Sequence, residues 1–412
     1  MKYGCIGEHL KHSFSKEIHN ALCSYEYELC EVKAEELSDF LSGGDFLGIN
    51  VTIPYKEKVI SHLHYIDDAA RHIGAVNTVV NRDGKLYGYN TDAYGMTELI
   101  RHAGIDLSGK KVAILGTGGT SKTARYVATK LGAAEILTVS RSKKEDAISY
   151  SELYKLHTDC DIIINTTPSG MFPGGYEKPI SLEAFHALSG VVDVVYNPLV
   201  TPLVREAIEN NIPAVGGLYM LVAQAARTAE IFTDTRFPES TVGEIYKDIL
   251  GKKKNIVLIG MPSSGKTTVG KILAQKLSRN LYDTDLMVEA EACRKIPELF
   301  SIIGEEGFRE LEANEVAEAS SYLGVVIATG GGAVLRKKNI FALKQNGKIY
   351  FLDRPKELLC PTEDRPLSKN REAMEKRFSE RYPIYMAAAD CTVDCDRSPE
   401  EIAEYIIADF YK

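Results

Sequence analysis

Residues 256–277 read as a short apolar strand, a glycine-rich turn and a helix. The turn, Gly260-Met261-Pro262-Ser263-Ser264-Gly265-Lys266-Thr267, fits the pattern GxxxxGK[ST]. A strand (Ile256–Ile259) before the turn and a helix (Thr268–Leu277) after it are the context in which this pattern cradles phosphate. The glycines let backbone N–H groups turn inward, and the helix N-terminus adds partial positive charge. Lys266 is placed to reach the β- and γ-phosphate oxygens and the Thr267 hydroxyl to ligate Mg²⁺. Gly260, Ser263, Ser264, Gly265, Lys266, Thr267 and Thr268 are therefore the expected triphosphate residues.

A second strand–turn–helix lies earlier: strand Lys110–Gly116, a turn containing Gly116, Gly118, Gly119 and Thr120, and helix Ser121–Leu131. A lone GxGG turn is weak evidence. Its weight comes from the next strand, Ile136–Ser140, which runs into Ser140-Arg141-Ser142. Sites for NAD usually place an acidic residue at that strand end to hold the ribose 2′-hydroxyl, whereas an arginine suits a 2′-phosphate. Lys143 and Lys144 add positive charge, so NADP is the expected cofactor.

A chain of 412 residues is too long for one ordinary core and suggests two or three domains. Short apolar runs alternate with amphipathic stretches, the signature of α/β architecture with mostly parallel sheets. The reading is an N-terminal substrate domain over residues 1–103, rejoined by helices at about 218–250, and a Rossmann-type domain over 104–217. A connector at 251–254 and a P-loop domain over 255–412 follow. The connector reading rests on Gly251-Lys252-Lys253-Lys254-Asn255, a glycine and a charge run ahead of a new strand.

A net charge of −8 argues against a protein that holds nucleic acid by neutralising phosphates. The longest apolar runs are far short of a membrane span. The first residues, Met1–Gly7, read as a strand rather than a cleaved signal. The eight cysteines form no CxxC and no zinc set, so reduced thiols and a cytoplasmic location are expected.

Further motifs fill the first half: His12-Ser13-Phe14-Ser15, Asn50-Val51-Thr52-Ile53-Pro54-Tyr55-Lys56, Gly74-Ala75-Val76-Asn77-Thr78 and Gly88-Tyr89-Asn90-Thr91-Asp92. Asn165–Met171 and Met220–Gln224 complete the set. Together they resemble shikimate dehydrogenase over nearly all of residues 1 to about 250. Hydride delivery to a ring ketone creates an alkoxide that needs a nearby proton donor. Lys56 is the donor that the resemblance implies, with Asp92 polarising the same oxygen. It also implies Ser13 and Ser15 at the substrate carboxylate, Thr52, Asn77 and Gln224 around the ring hydroxyls, and Asn50 and Tyr196 among the substrate-binding residues. Thr166 and Gly217 would join the cofactor site. Lys16 stands where the family commonly has proline, and Ser140 where asparagine is frequent.

Beyond the phosphate turn come Asp283-Thr284-Asp285 at a strand end, Glu305–Glu312 opening a helix, Gly330-Gly331-Gly332, Pro361–Leu367 and Arg381-Tyr382-Pro383. This set, in this order, resembles shikimate kinase from about Asn255 to Lys412. The resemblance implies that Asp285 binds and helps activate the acceptor hydroxyl and that Asp283 sits near Mg²⁺. Gly331 and Gly332 would offer backbone to the ring. Arg309 and Arg381 would clamp the carboxylate bidentately, and Arg365 would arrive on a lid beside the transferring phosphoryl group.

The two resemblances name consecutive steps: NADPH-dependent reduction of 3-dehydroshikimate, then ATP-dependent phosphorylation of shikimate on the way to chorismate and aromatic amino acids. Shikimate is expected to exchange with solvent between them. The rival readings are a quinate/shikimate dehydrogenase using NAD, or one half decayed to a regulatory binding module. A nucleic-acid-dependent ATPase lacks any basic aromatic signal. Monomer and homodimer both stay open.

Overall fold

The computed structural model describes residues 1–8, 10, 14–174, 176–359 and 371–412, with the side chains of 371–373 outside the description. Ser13 and the stretch Pro361–Leu367 with Arg365 therefore lie outside the described residues. Contacts divide the chain into two compact units, Met1–Ile249 and Leu250–Lys412.

The first unit holds two sheets. One orders its strands β2-β1-β3-β5-β6-β4, with β1 Tyr3–Gly7, β2 Tyr27–Glu31, β3 Gly48–Val51, β4 Tyr65–Ile66, β5 Thr78–Arg82 and β6 Lys85–Tyr89. This sheet is mixed. β1 runs parallel to β2 and β3, and β5 is antiparallel to both β3 and β6. β2 buries Tyr27 alone along its length, as an edge strand does.

The second sheet orders its strands β12-β11-β10-β7-β8-β9, with β7 Lys111–Leu115, β8 Glu135–Ser140, β9 Ile148–Ser149, β10 Ile162–Asn165, β11 Gly190–Asp193 and β12 Ala214–Val215. All of its pairings are parallel. The central strands are near-continuous apolar runs because helices cover both faces; β10 is buried at every position. The helix Leu218–Thr233 buries Phe232 with Cys5, Tyr27 and Val80 of the first sheet. It lies against the helix Thr91–His102 so closely that a Cβ on Gly95 would stand 2.6 Å from the Met220 carbonyl oxygen.

The second unit is one parallel sheet ordered β14-β15-β13-β16-β17. Its strands are β13 Asn255–Ile259, β14 Leu281–Asp283, β15 Val326–Ala328, β16 Gly347–Asp353 and β17 Cys391–Asp394. The strand β13, buried throughout, delivers the phosphate turn at the sheet's carboxyl edge. A helix opens at Glu305 as expected, and a further helical stretch precedes it: Ile296–Ser321 is two helices joined across a break at Gly304, whose φ of 71° is left-handed.

Of the expected connector Gly251–Lys254, the first three residues close a helix that runs from Ser240 to Lys253, and Lys252 is exposed. Arg279 donates to the Gly251 carbonyl at 2.6 Å and to that of Lys254 at 2.7 Å, satisfying orphan carbonyls of the last turn. Among the described residues, no helix is long and apolar enough to cross a membrane, and every cysteine is free.

Candidate functional sites

In the first unit the chemistry gathers where β3, β5 and the helix Thr91–His102 meet. Asn90 caps that helix by accepting from the Ala93 amide at 3.1 Å, which places Asp92 in the first turn, where the helix dipole favours a carboxylate. Lys56 follows β3 through the turn at Pro54 and donates from Nζ to Asp92 Oδ2 at 2.6 Å. The other carboxylate oxygen accepts from Asn77 Nδ2 at 2.9 Å. Asp92 is 8% exposed, and the Lys56 side chain is 28% exposed. The pair is thus fixed from within and open on one side.

Behind it lies a buried polar network that the motifs do not reveal. The Asn77 side-chain oxygen accepts from the Thr91 amide at 2.8 Å. Thr228 lies on the returning helix, and its hydroxyl stands 3.1 Å from that of Thr78, 3.0 Å from that of Thr91 and 3.3 Å from Asn50 Nδ2. Tyr27 donates to Asn50 Oδ1 at 2.7 Å. Asn50, expected at the substrate, is therefore bonded at both ends of its amide within the protein and holds Asn77 in place. Asn77, expected to read a ring hydroxyl, orients Asp92. The Thr52 hydroxyl donates to the Ile6 carbonyl at 3.1 Å and keeps accepting capacity.

Gln224 behaves differently. Its Oε1 is shielded from solvent and has no hydrogen-bond partner among the described residues, which is unusual for a buried polar atom. Ser15 opens the helix Ser15–Leu22. The Tyr196 ring stands 5.3 Å from that of Phe14.

The dinucleotide turn fits its cofactor. Gly116 has φ +106°, and a Cβ there would meet Thr166 Oγ1 at 2.9 Å, so only glycine suits the position. Gly118 and Gly119 face open space, leaving room for a pyrophosphate at the start of the helix Gly119–Lys130, which includes Thr120. The Ser142 amide donates to Ser140 Oγ at 3.3 Å, and this turn leaves Arg141 exposed. Gly217 packs so tightly that a Cβ would stand 2.1 Å from the Val194 carbonyl oxygen. A cavity of about 1520 Å³ passes Thr117, Lys122, Arg125 and Lys144. Arg125, on the helix, is a cation that strand-end reasoning missed.

In the second unit, a cavity of about 560 Å³ is lined by Ser263, Gly265, Lys266, Thr267, Thr268, Asp283, Asp285, Thr329 and Arg354 among others. Lys266 Nζ donates to the Gly260 and Met261 carbonyls at 2.9 and 2.8 Å. Thr267 Oγ1 donates to Asp283 Oδ2 at 2.8 Å, so the two expected magnesium ligands stand side by side. Asp283 also accepts from the Asp285 amide at 3.1 Å, which ties the backbone of the second aspartate to the first. Arg309 donates from Nη1 to the buried Glu312 at 2.7 Å. Burial pushes the Glu312 carboxyl up while Arg309 beside it pulls the other way. Arg381 donates to the Gly331 carbonyl at 3.1 Å, and a Cβ on Gly330 would meet Asp285 Oδ1 at 2.3 Å. Asp285, Arg309, Gly331, Gly332 and Arg381 thus converge beside the phosphate turn. Glu312 was legible only as part of a charged helix, since nothing local marks it as buried.

Comparison with known proteins assigns both halves. A family model described as shikimate dehydrogenase substrate binding domain matches residues 5–79, and one described as shikimate kinase matches residues 262–411. The shikimate dehydrogenase (NADP(+)) of Clostridium perfringens is 37% identical over 265 residues, covering 60% of this chain and 97% of that protein. Two crystal structures also align. Shikimate dehydrogenase 1 of Peptoclostridium difficile is 35% identical, with TM-score 0.55, and covers 60% of this chain and 98% of that one. A chorismate mutase/shikimate 5-dehydrogenase fusion of Clostridium acetobutylicum is 36% identical, with TM-score 0.57, and covers 60% and 96%.

Proposed function

We propose residue roles for a chain that belongs to the shikimate dehydrogenase family and carries a shikimate kinase domain behind it. The protein is a bifunctional shikimate-pathway enzyme, an NADP-dependent shikimate dehydrogenase joined to a shikimate kinase.

In the first unit, NADPH supplies hydride to the ketone of 3-dehydroshikimate. Lys56 gives the proton that the nascent alkoxide takes up, and Asp92 holds that lysine and the same oxygen in line. A positioned proton donor of this kind is worth about 10²–10⁴ in rate. Gln224 and the Thr52 hydroxyl meet ring hydroxyls, Ser15 with Ser13 meets the carboxylate, and Asn50 and Asn77 act as struts. Arg141, Ser140 and Ser142 take the 2′-phosphate. The observation that supports this most is the 2.6 Å Lys56–Asp92 contact braced by Asn77.

In the second unit, Gly260–Thr268 holds the phosphates of ATP and Lys266 moves from loop carbonyls to phosphate oxygen. Thr267 and Asp283 hold Mg²⁺, which neutralises charge on the triphosphate. Asp285 orients and activates the shikimate hydroxyl, Arg309 and Arg381 grip its carboxylate, and Arg365 assists from the lid. Such transfer needs positioning and charge more than covalent help. We place the enzyme in the cytoplasm, a reading supported by the free cysteines among the described residues.

A single assay tests the whole reading. Purified protein is given 3-dehydroshikimate, NADPH, ATP and Mg²⁺, with NADPH oxidation and ADP release followed separately. ADP should appear only when NADPH is present, unless shikimate is added. ADP release without either would overturn the assignment.

A further inference from the structure

The phosphate cavity is lined by one cation that none of the motifs contains. Arg354 directly follows β16, and β16 pairs with β13 on the side opposite β15. Asp285 and Gly332, the acceptor-side groups, follow β14 and β15. Ligands of open parallel sheets lie across the carboxyl edge where strand order reverses. The sheet therefore separates an acceptor side from a nucleotide side, and Arg354 stands on the latter.

Its hydrogen bonding is incomplete. Nη1 reaches the Ser263 carbonyl at a long 3.4 Å, while Nε is shielded from solvent and has no acceptor among the described residues. Asp353, its neighbour, accepts from the Tyr382 hydroxyl at 2.8 Å, and no carboxylate among the described residues pairs with Arg354. Ser263 itself sits at φ +66°, in the turn whose N–H groups face phosphate. A guanidinium with a shielded, unsatisfied donor, on the rim of a cavity shared with Gly265, Lys266 and Thr268, has the geometry and charge for a phosphate oxygen.

We propose that Arg354 is a further nucleotide-binding residue, donating to a phosphate oxygen of the bound nucleotide from the β16 side of the phosphate turn. The proposal rests on the reading that Gly260–Thr268 holds those phosphates. Loss of one charge-assisted contact corresponds to about tenfold in affinity.

The test uses the full-length chain with Arg354→Ala and Arg354→Lys. ADP affinity is read by calorimetry, pyrophosphate by competition against ATP, and KM by steady-state assay. Arg354→Ala should weaken ADP and pyrophosphate and raise the KM for ATP, each about tenfold. Arg354→Lys should fall between, because an ammonium keeps the charge but not the fork. The KM for shikimate and the reduction of 3-dehydroshikimate should not change. Unaltered ADP affinity in either folded variant overturns the proposal. So does weakened ADP with unchanged pyrophosphate, which would put the contact on base or ribose, and so does a joint rise in both kinase KM values, which would mean a distorted turn. Lys266→Ala is the control: should it also leave ADP affinity intact, the phosphate-turn reading itself fails.

Discussion

Lys56 Nζ lies 2.6 Å from Asp92 Oδ2 across 36 residues of sequence, and it is the Asn77 amide on the other carboxylate oxygen that makes this contact a fixed one. The lysine works as a donor only while that geometry holds. Lys56→Ala should lower 3-dehydroshikimate reduction by about 10²–10⁴ and leave phosphorylation of added shikimate intact. Lys266→Ala should do the reverse. Parallel NADPH and ADP assays read both, and joint loss in a folded single mutant would show that the sites depend on one another.

Cofactor choice is predicted to reside at the end of β8. Arg141 is exposed there, beyond the Ser140–Ser142 turn. Arg141→Ala should lower kcat/KM with NADPH by about tenfold or more, the worth of one charge-assisted contact, and hardly affect the rate with NADH. Equal losses with both cofactors would mean that the arginine shapes the fold rather than reading the 2′-phosphate.

Much of this was legible because the chemistry is written in short segments. A phosphate turn needs its glycines within eight positions, and the Lys56 and Asp92 motifs each carry their residue in a contiguous run. What stayed hidden is long-range. Thr228 meets Asn50 across 178 residues, and no local pattern distinguishes that threonine from a solvent-facing one. Asn50 and Asn77 were recognisable as site residues, but which ends of their amides the fold satisfies depends on residues far away in sequence. The helix start after Gly304 was legible at Glu305, whereas the helical stretch that precedes it from Ile296 was not.

The metal prediction follows from the poverty of the site. No cluster of three or more histidine, cysteine, aspartate or glutamate side chains suitable for a metal occurs among the described residues. Thr267 and Asp283 provide one hydroxyl and one carboxylate. Mg²⁺ commonly binds with one or two carboxylates, substrate phosphates and water. Removal of Mg²⁺ with EDTA should abolish ADP formation and leave NADPH oxidation untouched. Calorimetry should find Mg²⁺ binding far tighter with ADP present than without. A metal requirement in the reduction step would contradict the assignment.

Asp193 predicts a pH dependence of the first unit. Burial pushes its carboxyl up to about 6, against hydrogen bonds from Thr201, the Val195 amide and Asn165. The unfolded group releases its proton near 3.8, so between these values the folded chain holds the extra proton. That contribution to stability is complete below about 3.8 and is lost as pH rises toward about 6. The loss amounts to about 3 kcal/mol at 1.36 kcal/mol per unit. Urea titrations from about pH 4 to 7, read by hydrogen exchange in β10 and β11, should show this decline against Asp193→Asn, which cannot titrate. A constant difference between the two proteins would mean the carboxylate stays charged throughout.

Adjacent glycines give opposite predictions in the kinase site. A Cβ on Gly332 would stand 2.0 Å from Arg309 Nη1. That guanidinium is held from behind by Glu312, which is 1% exposed, so the arginine cannot retreat without breaking a buried ion pair. A Cβ on Gly331 would instead press on the Pro262 ring at 2.8 Å, inside the phosphate turn. Gly332→Ala should raise the KM for shikimate about tenfold, the worth of a displaced carboxylate contact, with the KM for ATP nearly unchanged. Gly331→Ala should act mainly on ATP, because the displaced proline carries the backbone that meets phosphate. Steady-state kinetics of the two variants, with dehydrogenase activity as the folding control, decides the matter: identical profiles would show that the two glycines serve one packing role rather than two ligands.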